Sequence, residues 1–179
     1  LAGSPVGTVL GLGAGLATVA AGSLLFLEQF RVTRIMAFLN PDQYTSGAGY
    51  QLHQAQIGLA SGGLFGSGPG YSKAKWGFLP EAHTDFILAV IGEELGLMGS
   101  VVVIGLFVAF MVAGCTIALR TRNAFGRLVA FGVTTWIGVQ AMINIGVTVG
   151  TLPTKGITLP FVSYGGSSLL MSLFGVGML

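Results

Sequence analysis

An all-α, polytopic membrane bundle is the fold this sequence predicts, and three observations predict it. First, 53% of its 179 residues are hydrophobic and only 8% are charged, where an ordinary soluble domain carries about 25% charged residues. Second, mean hydropathy is +0.83, so there is too little polar surface to coat a soluble globule. Third, the apolar residues fall in long uninterrupted runs, divided by Gly, Pro and charged clusters rather than by period-2 alternation. About four membrane spans are expected, near 6–27, 97–119, 128–149 and 167–179, the last cut short, with a large extracytoplasmic loop over 28–84. The chain starts Leu-Ala-Gly and stops inside an apolar run. It is therefore expected to be the C-terminal part of one longer membrane domain, with helices missing at the N-terminal end.

The first run, 6–27, is long enough to cross a hydrocarbon core, at about 33 Å. Gly7, Gly11 and Gly15 recur four apart on one helical face, a spacing that lets a second helix approach closely. The Gly-Leu-Gly-Ala-Gly string imitates part of a dinucleotide fingerprint, but it lies inside a span with no strand before it. The 28–84 stretch opens with the turn signal Asn40-Pro41-Asp42. It continues through Gln51, His53, Gln54 and Gln56 in a helical piece, then clusters Gly62, Gly63, Gly66, Gly68 and Gly70 around Pro69. It is too rich in aromatic and aliphatic residues for a disordered linker, and a long ordered loop usually carries function. Its glycines would let backbone lie close to a ligand or permit loop movement.

A helix is expected to start near Thr84, with Asp85 in its first turn and Glu93-Glu94, flanked by Gly92 and Gly96, interrupting it at a break placed at Gly92. The run 97–119 then leads to Arg120, Arg122 and Arg127, the densest basic loop, which the positive-inside rule assigns to the cytoplasm. Alternation puts 28–84 and the turn-rich 150–166 segment outside. The small residues Gly138, Ala141 and Gly146 would make grooves for lipid tails or a partner helix. The net charge of +2 argues against a nucleic-acid partner. Cys115 has no second cysteine to pair with, so it reads as a buried or lipid-facing hydrophobe.

Few residues carry chemistry. On local sequence alone, Asp85 is more economically a helix cap than a catalytic acid. Glu93 and Glu94, in apolar surroundings, are either functional ionisable groups or fixtures of a helix break. His53 and His83 lack any ligand spacing and read as structural. Lys155 is a cation between two membrane segments, suited to an anionic head group or simply solvated; its loop lacks the phosphate-cradling Gly-x4-Gly-Lys spacing.

Two strings are diagnostic. LPEAHTDFILAVIGEELGLMG (79–99) and GTLPTKGITLPFVSYGGSSLL (150–170), with the loop sequence 40–68, resemble the SEDS family, FtsW/RodA/SpoVE, across nearly the whole chain. The Thr154-Lys155-Gly156 triplet is nearer the cell-division branch, FtsW, than the elongation branch, RodA. The resemblance implies a peptidoglycan glycosyltransferase of the bacterial plasma membrane, concentrated at the division septum. Such an enzyme polymerises lipid II on the outer face beside a class B penicillin-binding protein and other divisome proteins. It also implies that the essential aspartate of the His-Thr-Asp-Phe string is Asp85, which reverses the capping preference. A carboxylate suits the task, since it can take the proton of an attacking sugar hydroxyl. The pyrophosphate leaving group needs positive charge, for which Lys155, Lys73, Lys75, Arg31 and Arg34 are the outer-face candidates, with Glu93 and Glu94 as further substrate-binding candidates. No cofactor is required by this scheme, although a divalent cation, Mg or Mn, partly held by carboxylate is compatible with it. The alternatives are a lipid II flippase and a non-catalytic divisome scaffold.

Overall fold

The computed structural model describes residues 6–25, Met36, Phe38, 47–72, 83–154 and 156–179. Every regular element among them is helical: α1 Val6–Leu25, α2 Ala48–Ser61, α3 Ile87–Arg120, α4 Ala124–Val149 and α5 Gly166–Gly177. Helices α3 and α4 are long and apolar enough to cross a membrane. From Leu97 to its end at Arg120, α3 rises about 36 Å, more than the hydrocarbon thickness. Its flank is apolar and exposed at Val101, Val102, Leu106, Val108 and Val112. That surface would be an aggregation hazard in water and needs no cover in lipid.

The α3–α4 turn is tight. Thr121 ends α3, and Asn123 begins α4 as its N-cap, its side-chain oxygen accepting from Phe125 N at 3.1 Å. A three-residue turn forces the helices antiparallel. Arg120, Arg122 and Arg127 all lie exposed around it, two of them within helices, because α4 starts at Ala124 and not near 128 as expected. The helices close on each other where residues are small: a methyl at Gly114 would overlap Thr134, and one at Gly138 would overlap the Met111 sulfur. With Ala141 2% exposed and Leu152 packed over Gly146, the expected grooves at Gly138, Ala141 and Gly146 are filled from within the chain.

At the other end of the hairpin α3 is broken. The expected helix start near Thr84 and break at Gly92 both move: α3 begins at Ile87, and the non-helical residue is Gly96, at φ 70° and ψ −166°, a conformation essentially confined to glycine. The break leaves helical carbonyls and N–H groups without helical partners, and the glycine-rich turn takes them. Ser67 N and Gly68 N donate to Glu93 O and Glu94 O at 2.9 and 3.0 Å, while Leu97 N and Met98 N donate to Gly63 O and Leu64 O. Backbone meets backbone so closely that a methyl at Gly62 would overlap the Gly92 carbonyl, and one at Gly66 the Glu94 carbonyl. Residues 62–68 of the glycine-rich stretch thus serve the helix break.

Two cores flank the start of α3. Phe86, Ala89 and Val90 pack with Ala55 of α2 and Val147 of α4; Leu88 packs with Phe107, Ile137, Ala141 and Leu159. Phe86 and Leu88 are 2% and 1% exposed, so alternate side chains after Asp85 lock into separate clusters. We expect Gly96→Ala to destabilise the folded protein by about 1–3 kcal/mol from backbone strain alone, and more through overlap with the 64–66 backbone. Gly105→Ala, where a methyl meets nothing within the chain and alanine is the better helix former, should not lower the unfolding temperature. Thermal unfolding of both variants in detergent checks this, and equal melting temperatures would be the contrary result.

Candidate active site around Asp85

Asp85 lies in the turn 83–86, just before α3. The N-cap position belongs to Phe86, and that helix start carries neither a side-chain cap nor an acid in its first turn. The capping role is therefore not what the fold gives Asp85. Its turn is instead held from outside, one carbonyl at a time. Tyr164 N donates to His83 O at 3.0 Å. Ser163 Oγ donates to Thr84 O at 2.5 Å. Asn144 Nδ2 donates to Asp85 O at 2.8 Å. Two of these donors come from the 150–165 segment and the third from α4, so the two diagnostic strings, 79–99 and 150–170, meet in space.

The 150–165 segment is itself braced. Ser163 Oγ accepts from Leu159 N at 2.7 Å while donating to Thr84. Gln140 Nε2 donates to Thr158 O at 3.0 Å, and Thr158 Oγ1 pairs with Ser168 Oγ at 2.9 Å. Phe161 takes φ 64°, costly for a bulky L-residue by about 1–2 kcal/mol, with its ring 5.9 Å from that of Phe110. Gly156, at φ 63°, turns the segment against the aspartate: a methyl there would lie 3.1 Å from Asp85 Oδ2. Gly156 therefore lies beside the partly buried carboxylate.

The other expected site residues divide sharply. Lys155, Lys73, Lys75, Arg31 and Arg34 lie outside the described residues. Glu93 is buried, accepts from Ser72 Oγ at 2.6 Å, and offers its backbone carbonyl to Ser67. It joins the glycine-rich turn to α3. Glu94 lies beside it, with Oε1 buried and unbonded and its carbonyl on Gly68. His53 and His83 are exposed. No group of three or more His, Cys, Asp or Glu that could hold a metal occurs among the described residues.

Beside His83 an open cavity of about 310 Å³ is lined by Ile87, Val162 and Tyr164. Val162 also lines a second, apolar cavity of about 290 Å³ with Val103, Leu106, Phe107, Phe110 and Phe161, alongside the α3 span. Asn144, Gln140 and Ser163 do not stand out from sequence chemistry as site residues. The available signal is amides at 140 and 144, one turn apart in a largely apolar span, where polar groups are expensive.

Gly156→Ala should cost about 1–2 kcal/mol for the left-handed backbone and press the Asp85 carboxylate out of place. Unfolding midpoints of the full-length protein measure the first effect; a midpoint equal to wild type would contradict the geometry.

The comparisons agree with this architecture. The family model described as cell cycle protein, covering FtsW, RodA and SpoVE, matches residues 1–179. A relative from Geobacter metallireducens, named probable peptidoglycan glycosyltransferase FtsW, is 49% identical over 87% of this chain and 42% of its own length. Relatives of the same name from Geobacter sp. (strain M18) and Coxiella burnetii are 46% and 48% identical, over 99% and 92% of this chain and 48% and 46% of theirs. A solved structure titled "Structural coordination of polymerization and crosslinking by a peptidoglycan synthase complex" superposes with TM-score 0.70 at 29% identity, covering 95% of this chain and 46% of that one. The chain thus spans about half the length of the curated relatives it matches, and it belongs to the FtsW/RodA/SpoVE family.

Proposed function

We propose that this chain is the C-terminal part of one membrane domain of a peptidoglycan glycosyltransferase, one that polymerises lipid II into glycan strands on the outer face of the bacterial plasma membrane during cell division. About four spans, with α1 and α5 as the outer two, and a large outer loop over 28–84 belong to this reading. The observation that carries it is the convergence of both diagnostic strings on one carboxylate, Asp85, at the end of the α3–α4 hairpin opposite the arginine turn. With the arginines facing the cytoplasm, Asp85 faces outward, where a lipid-linked sugar presents its hydroxyl.

In this mechanism Asp85 accepts the proton of the attacking sugar hydroxyl as the glycosidic bond forms, an effect worth about 10²–10⁴-fold. The polyprenyl pyrophosphate leaves with both electrons of the broken bond. Lys155, next in sequence to Gly156, and Lys73, Lys75, Arg31 and Arg34 supply positive charge to it. A divalent cation, Mg or Mn, partly held by carboxylate would supply further positive charge to the pyrophosphate. The apolar cavity lined by Val103, Leu106, Phe107, Phe110, Phe161 and Val162 suits a polyprenyl chain entering from lipid. A class B penicillin-binding protein and other divisome proteins at the septum are the proposed partners, in keeping with the synthase complex named for the structural relative.

Asp85→Asn in the full-length protein, assayed with its class B partner, should lower lipid II polymerisation by about 10²-fold or more while leaving the melting temperature and partner binding intact. Unimpaired polymerisation by that variant would sink the base assignment. Translocation without polymer formation by wild type would favour the flippase, and neither activity the scaffold.

A further inference from the structure

Resting on the reading of Asp85 as the base, we infer that Asn144 is its positioning residue, acting from within membrane helix α4 through the side-chain amide. Asn144 is 1% exposed and lies more than a turn inside α4, which ends at Val149. Both hydrogens of its amide nitrogen are used, one on Asp85 O at 2.8 Å and one on Ile157 O at 2.6 Å. The two acceptors lie on different segments, 59 and 13 residues from Asn144. Since both are carbonyls, only the NH2 end can face them, so the amide orientation is chemically settled.

The consequence is geometric. Ile157 follows Gly156, the residue packed 3.1 Å, measured to an added methyl, from Asp85 Oδ2. One rigid planar group therefore spaces the backbone beneath Asp85 from the turn that abuts its carboxylate. Gln140, one turn earlier, grips Thr158 through its carbonyl and its hydroxyl and so holds the same segment. Asn144 spans both segments. Packing alone does not call for it: Asn144 Oδ1 is buried with no hydrogen-bond partner, a defect that an apolar side chain would not have. A group kept at that cost is explained by what its other end holds.

The test uses the full-length protein with its class B partner and lipid II, comparing wild type with Asn144→Leu, Asn144→Asp, Asp85→Asn and the exposed-site control Thr116→Val. Asn144→Leu removes both donors, and Asn144→Asp turns an acceptor toward two carbonyls. Each should lower kcat by about 10²-fold, the scale of a displaced catalytic group, with KM for lipid II unchanged. Hydrogen exchange should quicken in 83–90 and 156–164 while the 97–120 helix stays protected. A wild-type kcat, or unchanged exchange in those two segments, overturns the proposal; so does a change confined to KM. If Asn144→Leu does not fold, Asn144→Ser, which keeps one donor and overfills nothing, decides by the same two readouts. Polymerisation retained by Asp85→Asn would remove the base reading instead, and the exchange measurement would still report whether Asn144 holds the two segments.

Discussion

A backbone that leaves the helix at membrane depth must find new partners for its N–H and C=O groups, because lipid offers none. This chain breaks its helical pairing twice at one end of the α3–α4 hairpin: at Gly96 within α3, and in the 150–165 segment after α4. The first break is paired by the glycine-rich turn 62–68, backbone to backbone. The second folds back and donates to the carbonyls of His83 and Thr84, while α4 supplies the donor for Asp85. The placement of the proposed base follows from these two acts of pairing.

The design separates what holds the carboxylate from what the carboxylate does. The Asp85 turn is fixed through main-chain carbonyls by Tyr164, Ser163 and Asn144, and through Phe86 and Leu88 buried in two cores. The side chain need not spend itself on capping α3, whose start lies at Phe86. Precise placement of a general base on rigid elements is what proton transfer demands. Meanwhile Glu93, which composition alone makes a rival acid, is committed to Ser72.

Much of this was legible from the residues. Apolar runs without alternation require helices, and α3 and α4 end within a few residues of their expected limits. The α2 helix was legible in the Gln-rich piece around 51–56. Asp85 emerged only by resemblance, since an acid before a helix has an adequate local explanation in the dipole. The break at Gly96 was misplaced to Gly92, because both glycines flank the glutamates and only the docking of the 62–68 turn distinguishes them. The grooves expected at Gly138 and Gly146 were misassigned for a related reason: small residues advertise close approach without saying what approaches, and here it is Met111 and Leu152 of the same chain.

By itself, then, the sequence determined the solvent of this protein, the helical identity of its spans and the short list of ionisable groups at their ends, since hydropathy and charge are properties of residues one at a time. Only the tertiary structure decided which of those groups share a site. Asn144 lies 59 residues from Asp85 and Ser163 lies 79 from Thr84, and no local periodicity encodes pairings at that separation. They exist because buried carbonyls must be satisfied, and satisfaction is a condition on the assembled fold rather than on any one stretch of chain.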